Sequence, residues 1–582
     1  MQCVVSRLKD IEMKRVVFGL AVAAACAAGG YLFLSQYAKN AAKEAVANIE
    51  REIEASIPGS DFTYQNVSAD FMKGEAQVSD IAISVTGQTI VSAKQLKLMG
   101  NETVLQNLEL EAVEGSLQLE YEDLSITARA LGLANVELDN AIKLIDAVKA
   151  GDPMTALSSL SDLSVGELKL EGIMLSFKDG DEALGKISGD IILSGIKDGT
   201  IDKLNVSGSI EDALGTVNGS SFKGELAALG MSGLNFAETL NALAMNDEKL
   251  IIQQIQNAFG LSEIVINGLE ASVEDESKAI LKSGTIEIAN NTITNFSMKD
   301  FVLQSEYEDV AINIGETQFK GLNLGLDYTS EEALIKNAAQ LYGLTEIGIT
   351  NASFNVEGNN FGIGELSLED VVYEDGMVVK GRTKLNGLEI PLAVIEEMDR
   401  STARTISNFT KSENFVLSLE NYINFETQKE TYDAYLLFGV DDFASIKLDV
   451  SLAGLKKDLI KKASTSNDIF QIMEIWGKIS EDLMLSSISI DYTDDNLADI
   501  VLAEAPDTSQ LVMMSGMQID MMLGQYPEQA RQLKDAITGF LEGRNAFKVG
   551  AKAQKPVKLS EMESLFMSGE LSDVISFTFE GK

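Results

Sequence analysis

The chain has 582 residues, with 46 Lys+Arg against 89 Asp+Glu, a formal net charge of −43, two cysteines and no histidine. That length corresponds to about four domains or a repeat array of similar mass, and 45% apolar with 23% charged residues is the composition of a folded chain. Without His there is no Ser-His-Asp or Cys-His nucleophile pair, no His-ligated metal and no imidazole base, and the acidic excess excludes a nucleic-acid footprint and disfavours general adsorption to anionic lipid.

The first element is an uncharged run, Val16 to Leu34, continued through Ala38. It is long enough to cross a hydrocarbon core, which takes about 20 residues. Arg7, Lys9, Lys14 and Arg15 precede it and Lys39, Lys43 and Arg51 follow, so the positive-inside count favours a cytoplasmic N-terminus only slightly. A signal peptide cut near Ala23-Ala24-Ala25 and a lipoprotein acylated at Cys26 are the alternatives. The run continues through Tyr31–Leu34, past the first site, and Ala23 stands where a lipoprotein signal needs a large apolar residue. An uncleaved anchor over 16–38 is therefore the favoured expectation. Met13-Lys14-Arg15 offers a second possible start. Residues 39–582 then carry 42 Lys+Arg and 87 Asp+Glu, net −45. Both cysteines, Cys3 and Cys26, fall before this region, so it holds no disulfide and no thiolate nucleophile.

From Asp61 onward apolar and polar residues alternate, as in Leu117-Gln118-Leu119-Glu120-Tyr121 and Leu322-Asn323-Leu324-Gly325-Leu326. This is the period-two pattern of strands with one buried face. Only six prolines occur, which suits long sheets. Helices are expected over Lys39–Ser56, Leu138–Ala150, Phe236–Phe259, Ser330–Leu341, Leu455–Lys478 and Pro527–Leu541, the last with Pro at its start and Gly543 just beyond its end.

Four eleven-residue segments after such helices align without gaps: Glu167–Phe177, Glu263–Val273, Glu346–Val356 and Asp482–Tyr492. Each reads as a strand pair around a small central residue (Gly172, Gly268, Asn351, Ser487), where a bend shifts the phase of alternation. A helix plus several strands cannot bury its own apolar face, so stacking of repeats into one sheet is expected. The fold class is thus α+β: an N-terminal transmembrane helix, then an elongated, mainly antiparallel β-sheet repeat array with interleaved helices. The expected units are a tip (1–15), an anchor (16–38), a first helix and β unit (39–137), and repeat units at 138–235, 236–329, 330–454 and 455–582.

The segment FTYQNVSADFMKGEAQVSDIAISV (Phe62–Val85), placed after an anchor and a short helix, is similar to the entry into the β-region of AsmA-like and YdgA-like proteins of Gram-negative envelopes. FLEGRNAFKVGAKAQKPVKLSEM (Phe540–Met562) resembles the C-terminal portion of YdgA-like proteins. The resemblance implies a single-pass inner-membrane protein with its bulk in the periplasm, built on a long curved sheet. In the larger AsmA-like relatives that sheet forms an apolar groove associated with phospholipid movement. The YdgA-like branch supplies no catalytic position to carry over. This chain is also far shorter than the lipid-bridge members, so the resemblance does not extend to transport across the whole periplasm.

The candidate groove-lining residues are the inward members of the repeat strands, Leu168, Leu170, Ile264, Ile266, Ile347 and Ile349. Met513, Met514 and Met517 join them from a run with Met521 and Met522 that supplies an adaptable apolar lining. Thioethers also bind Cu(I), but a gap-filling apolar helix is the better reading of this run. Carboxylate clusters such as Asp179/Asp181/Glu182 and Asp494/Asp495/Asp499 lack EF-hand spacing and read as solvated turns. Lys456, Lys457, Lys461 and Lys462 reverse the sign of the chain locally; they read as a solvated helix face, or as a site for an acidic partner or lipid headgroups. Neither G-x-S-x-G nor a P-loop occurs, so no catalytic residue, cofactor or metal is assigned. The expected function is non-enzymatic binding of lipid or another apolar envelope component. The alternative is a structural protein engaging an envelope partner through strand edges or acidic faces. Co-purifying lipid would separate the two.

Overall fold

The computed structural model describes residues 59–235, 260–305, 309–324 and 343–581, together with Ala47, Glu50 and Arg51. Within those ranges residues 71–74, 86, 101–103, 119–122, 142, 144–158, 160–161, 180–181, 212–221, 274–276, 376, 408–411, 466–468, 504–506 and 544 are left aside. The expected anchor at 16–38 and most of the helices expected at 39–56, 236–259 and 330–341 lie outside the described residues. Among those described, no helix is long and apolar enough to cross a membrane. The chain divides into two compact units, residues 1–306 and 307–582.

Among the described residues unit 1 is a meander of thirteen strands: β1 (Ser60–Thr63), β2 (Asn66–Asp70), β3 (Glu75–Val85), β4 (Gln88–Gly100), β5 (Val104–Gln118), β6 (Asp123–Glu137), β7 (Val165–Asp179), β8 (Glu182–Lys197), β9 (Thr200–Glu211), β10 (Phe222–Asn235), β11 (Glu263–Val273), β12 (Ser277–Ala289) and β13 (Thr292–Ser305). β1 and β2 both pair with β3, and from β3 to β13 each strand pairs antiparallel with the next. Sequential antiparallel pairing is the local solution for alternating strands joined by short turns.

Unit 2 continues with β14 (Val310–Lys320), β15 (Leu322–Asn323), β16 (Glu346–Val356), β17 (Asn359–Glu374), β18 (Met377–Pro391), β19 (Asn414–Glu426), β20 (Thr431–Val440), β21 (Ala444–Ala453), β22 (Met484–Asp494), β23 (Ala546–Lys558) and β24 (Ile575–Gly581). Here β14 pairs with β16 and each later strand with its successor, again antiparallel. Helices fill the connections: α1 (Leu392–Met398) and α2 (Arg400–Ser407) before β19, α3 (Lys457–Thr465) and α4 (Ile469–Asp482) before β22. α5 (Leu497–Ala503), α6 (Thr508–Met522) and α7 (Pro527–Gly543) precede β23, and α8 (Leu559–Ser568) and α9 (Leu571–Val574) precede β24. α7 matches the helix expected from Pro527. The single helix expected over Leu455–Lys478 is two, because Ser464-Thr465-Ser466-Asn467-Asp468 is a run of residues whose side chains compete for backbone hydrogen bonds.

The four aligned segments are not strand pairs. The first three are each one continuous strand (β7, β11, β16), and in the fourth the strand (β22) begins at Met484, just after α4 ends at Asp482; all four are paired on both sides of the central residue. Gly172, Gly268 and Asn351 adopt φ of +58°, +58° and +53°. The fourth segment shows a register shift at Leu485/Ser487 in place of a left-handed residue. A left-handed residue rotates the strand without ending it, so apolar side chains three apart face the same way: Leu170 with Ile173, Ile266 with Leu269, Ile349 with Ala352. Gly and Asn tolerate that conformation best. The kinks line up across unit 1. Asp80 on β3 and Ala112 on β5 are also left-handed; in register, Lys94 on β4 lies between these two and Arg129 on β6 between Ala112 and Gly172. A Cβ at Gly172 would approach the Arg129 Cβ to 2.9 Å, while the Gly172 amide donates to Asp190 Oδ1 at 2.6 Å.

A second recurrence frames two of the connections. Gly233 (φ +78°) and Gly260 (φ +74°) face each other across the excursion between β10 and β11, and Gly321 (φ +86°) and Gly343 (φ +79°) do so before β16. In both, the backbone amide at Ser262 or Thr345 donates across the neck to Ser232 or Lys320 (2.9 Å each). The sequences around them match, Gly-Leu-Asn on the way out and Gly-Leu-Ser/Thr-Glu-Ile on the way back. This supports a true repeat.

Candidate functional site: the apolar rows of the sheet

The register of unit 1 stacks apolar residues into rows that run across the strands. One row reads Ala76, Leu98, Leu108, Leu133, Leu168, Leu193, Leu204, Met231, Ile264, Ile286 and Phe296, one residue from each of β3 to β13. The next reads Val78, Leu96, Leu110, Leu131, Leu170, Ile191, Val206, Leu229, Ile266, Gly284 and Met298. Beyond the kink line a third runs Ile173, Gly189, Gly208, Leu226, Leu269, Leu281 and Phe301 from β7 onward, and a fourth Leu175, Ile187, Ile210, Gly224, Ala271, Ala279 and Leu303. The opposite face carries ion pairs such as Arg129–Glu171 and Lys97–Glu111. So Leu168 and Ile264 share one row, and Leu170 and Ile266 the next.

Burial changes along these rows while their composition does not. In β3 to β5 the residues are sealed: Ala76, Val78, Leu96, Leu98, Leu108 and Leu110 join one core with Phe62, Leu138, Ala141 and Val165. From β7 to β13 the row members are half-buried, and Leu269 and Leu303 are exposed. Over β7 to β11 the third and fourth rows are thinned by Gly189, Gly208 and Gly224, leaving a cavity of about 360 Å³. Its walls are Ile173, Leu175, Ile187, Ile191, Val206, Ile210, Phe222, Leu226 and Leu269. That volume is within the range of pockets for small ligands, and the lining is apolar apart from the rim residues Glu225 and Glu270 and backbone at serines.

The glycines are of two kinds. Gly189 and Gly208 are register partners so close that a Cβ on either would overlap the Ser207 or Ser188 carbonyl oxygen of the neighbouring strand. At Gly224 a Cβ would meet only the Phe222 ring, 3.6 Å away, and the Glu270 carbonyl at 4.0 Å. Sequence alternation alone did not single out this void, because its signature is a set of cross-strand partners and not a local motif.

In unit 2, Ile347 and Ile349 also face one side of the sheet. Ile349 leads a row through Leu366, Leu385, Leu419, Phe438, Ile446, Tyr492 and Phe547. At its far end α7 lies across the row, with Phe540 against Tyr492 (5.6 Å between ring centres) and Phe547 (6.0 Å). In mid-sheet Leu436, Phe438, Ile446 and Ile490 remain exposed. Met513, Met514 and Met517 project from α6, outside the strand rows, and are exposed together with Met521 and Met522. The inner side of α6, at Ile519, is buried, and Asp520 pairs with Lys534 of α7 at 2.5 Å.

The charged clusters are structural. Asp494 is buried; its Oδ1 accepts from the Ala498 amide at 2.8 Å and from the Tyr492 hydroxyl, at the start of α5. Burial and that carboxylate push the Tyr492 phenol well above its usual value. Lys457 ties α3 to the end of β17 through Asp375 (2.7 Å) and Glu374 (3.3 Å), and Lys456 pairs with Asp482 (2.5 Å). Among the described residues no group of three or more acids or thiols could hold a metal ion. The side chains of the 179–182 cluster lie outside the described residues.

Two comparisons bear on this chain. A family model described only as an uncharacterized protein matches residues 437–580, from the second half of β20 into β24 of unit 2. No curated protein matches.

Proposed function

We propose that this chain is a non-enzymatic envelope protein, held in the inner membrane of a Gram-negative bacterium by residues 16–38, that binds lipid acyl chains along the apolar rows of its sheet. It would serve there as an accessory to lipid transport or homeostasis, in keeping with its AsmA-like and YdgA-like resemblance. The observation that carries the reading is the opening of unit 1's rows after β6. A sheet face built only as core would stay sealed along its length, since each half-buried Leu or Ile leaves part of a favourable burial unrealised, about 25 cal/mol per Å². Here the same residue types are sealed over β3 to β5 and half-open over β7 to β13, next to a cavity of about 360 Å³. Apolar walls with few polar groups select by shape and length, which suits an acyl chain better than a polar metabolite.

The test uses full-length protein in bilayers containing phosphatidylethanolamine with a photoactivatable acyl chain. Crosslinks are expected on peptides from β8 to β11 and are expected to be lost in Leu269→Asp with the β-sheet circular dichroism retained. Crosslinks confined to 16–38, or loss of folding in Leu269→Asp, would mean that the rows are ordinary core and would favour an interaction protein.

A further inference from the structure

α4 has two apolar faces, and only one of them is used by the fold. Ile475 and Ile479 are buried in a core with Val379, Phe425 and Leu455, which Leu459, Ile460 and Ala463 of α3 also join. On the other side Phe470, Met473 and Trp476, spaced by three residues, are 79%, 66% and 55% exposed. Trp476 is the only tryptophan in the chain. α8, which touches α4, adds Met567 to the exposed set. A helix that only covers a core carries charge on its outer side, as α7 does with Glu528, Arg531 and Asp535. α4 instead presents large apolar groups, and such a patch marks an interaction surface.

We propose that the outer face of α4, with the lysines of α3 beside it, seats on an anionic phospholipid surface. The charge around it supports that occupant. Lys456–Thr465 holds four lysines and one aspartate in a chain of net −43, and of the four, Lys456 and Lys457 are engaged in ion pairs within the fold. Lys461 and Lys462 are exposed on α3. Two of the three acids on α4 are paired locally, Glu474 with Lys478 at 2.6 Å and Asp482 with Lys456 at 2.5 Å, and the third, Glu481, lies at the C-terminal end, about three turns from Phe470. At physiological salt, charges more than about 8 Å away are largely screened, so the headgroups respond to this end and not to the whole chain. Trp and Phe prefer the boundary between headgroups and acyl chains, with lysines reaching the phosphates. A second copy would bring another strongly acidic surface, which α3 could meet, but with a penalty from the repulsion of two chains of −43.

The unique tryptophan is the probe. Full-length protein is reconstituted into vesicles of phosphatidylcholine and phosphatidylglycerol, with and without bromine on the acyl chains. The anchor has no tryptophan, so quenching reports residue 476 alone. Expected are a blue-shifted emission and quenching by brominated lipid. Lys461→Glu with Lys462→Glu should weaken seating roughly 30-fold or more, from about 1 kcal/mol for each lysine near an anionic surface. Phe470→Ser with Met473→Ser, which changes two exposed side chains, should abolish quenching. Unquenched, red-shifted emission in wild type overturns the proposal, as does a blue shift that follows protein concentration and not lipid. This outcome is independent of the acyl crosslinks on β8 to β11, so either result can fail alone.

Discussion

Gly224→Leu distinguishes a binding cavity from incomplete packing. The residue is the third of β10, and its missing side chain is part of the void between Phe222, Leu226, Leu269 and Ala271. Nothing in the backbone forbids the change, since the nearest atoms to a Cβ are 3.6 Å away and belong to the Phe222 ring. Partial burial of a leucine side chain contributes about 1–2 kcal/mol, and removing a glycine from a strand adds roughly 0.5 kcal/mol. Fixing the new rotamer costs about 0.5–1 kcal/mol. A net stabilisation of about 1 kcal/mol is expected, read as a higher urea midpoint at unchanged slope.

The control is Gly284→Leu, on the same face but outside the cavity, where a Cβ would meet Leu281 at 3.6 Å and the Ser297 carbonyl at 3.7 Å. It should stabilise by a similar amount. Only the first variant should lose acyl crosslinks on β8 to β11. If Gly224→Leu is stabilised and keeps the crosslinks, the cavity is not where the chain binds. If it is destabilised by more than about 1 kcal/mol, the space is smaller than its walls imply and the packing argument is wrong.

Other changes test the frame around the cavity. Gly189→Ala, which drives a Cβ into the Ser207 carbonyl oxygen, should destabilise unit 1 by about 1–3 kcal/mol by chemical denaturation, despite being the smaller substitution. Ala112→Gly should stabilise by roughly 1 kcal/mol, the reverse of the usual effect of glycine in a strand, because Ala112 sits at φ +50°. Asp494→Ala removes the acceptor of both the Ala498 amide and the Tyr492 hydroxyl, and should cost about 1–3 kcal/mol in urea midpoint. Hydrogen bonds from Thr427 and Lys457 hold Glu374, and Lys457 holds Asp375, below their usual values. A lowered carboxylate contributes stability above its unfolded value that is lost as pH falls through the folded one. The protection of α3 amides, taken relative to their intrinsic exchange rates, should therefore fall below the ordinary carboxylate range, and Lys457→Met should flatten that dependence.

Strand content, antiparallel pairing and α7 follow from local pattern: alternation, short turns, a proline at a helix start. The phase shift at Gly172, Gly268 and Asn351 is also local, because three apolar spacings in a row disclose it and only a few residue types accept φ near +55°. Two things are not local. The continuity of one kinked strand is decided by partners on both sides, so the same eleven residues read equally well as a hairpin. The difference between the sealed and the open part of the rows is set by what lies over them. Leu108 and Leu193 occupy the same row in similar contexts, yet the first is buried and the second half-exposed. Likewise the outer face of α4 looks like core in the sequence, since Phe470, Met473 and Trp476 recur at helical spacing as core residues do.

The glycines of the rows show which part of the cavity follows from the backbone and which does not. Gly189 and Gly208 are required, because two strands approach too closely there for any side chain. Gly224 and Gly284 are under no such constraint, as ordinary contact distances surround a Cβ at each. Each glycine in a strand forgoes roughly 0.5–1 kcal/mol relative to alanine, and a buried leucine in its place would contribute more. Against a typical total of about 5–15 kcal/mol this is a substantial loss. Optimising unit 1 for stability alone would fill both positions. In β3 to β5 the second row is filled by Val78, Leu96 and Leu110 inside the sealed core, and the glycine of the fourth row there, Gly115, is crowded, with the Ile90 carbonyl oxygen 3.3 Å from a Cβ. The unforced glycine in the cavity wall, Gly224, is therefore better explained by keeping room for something apolar than by tolerance of poor packing. A ligand that occupied that room would recover the missing burial, and unit 1 should then unfold at a higher midpoint with lipid than without it.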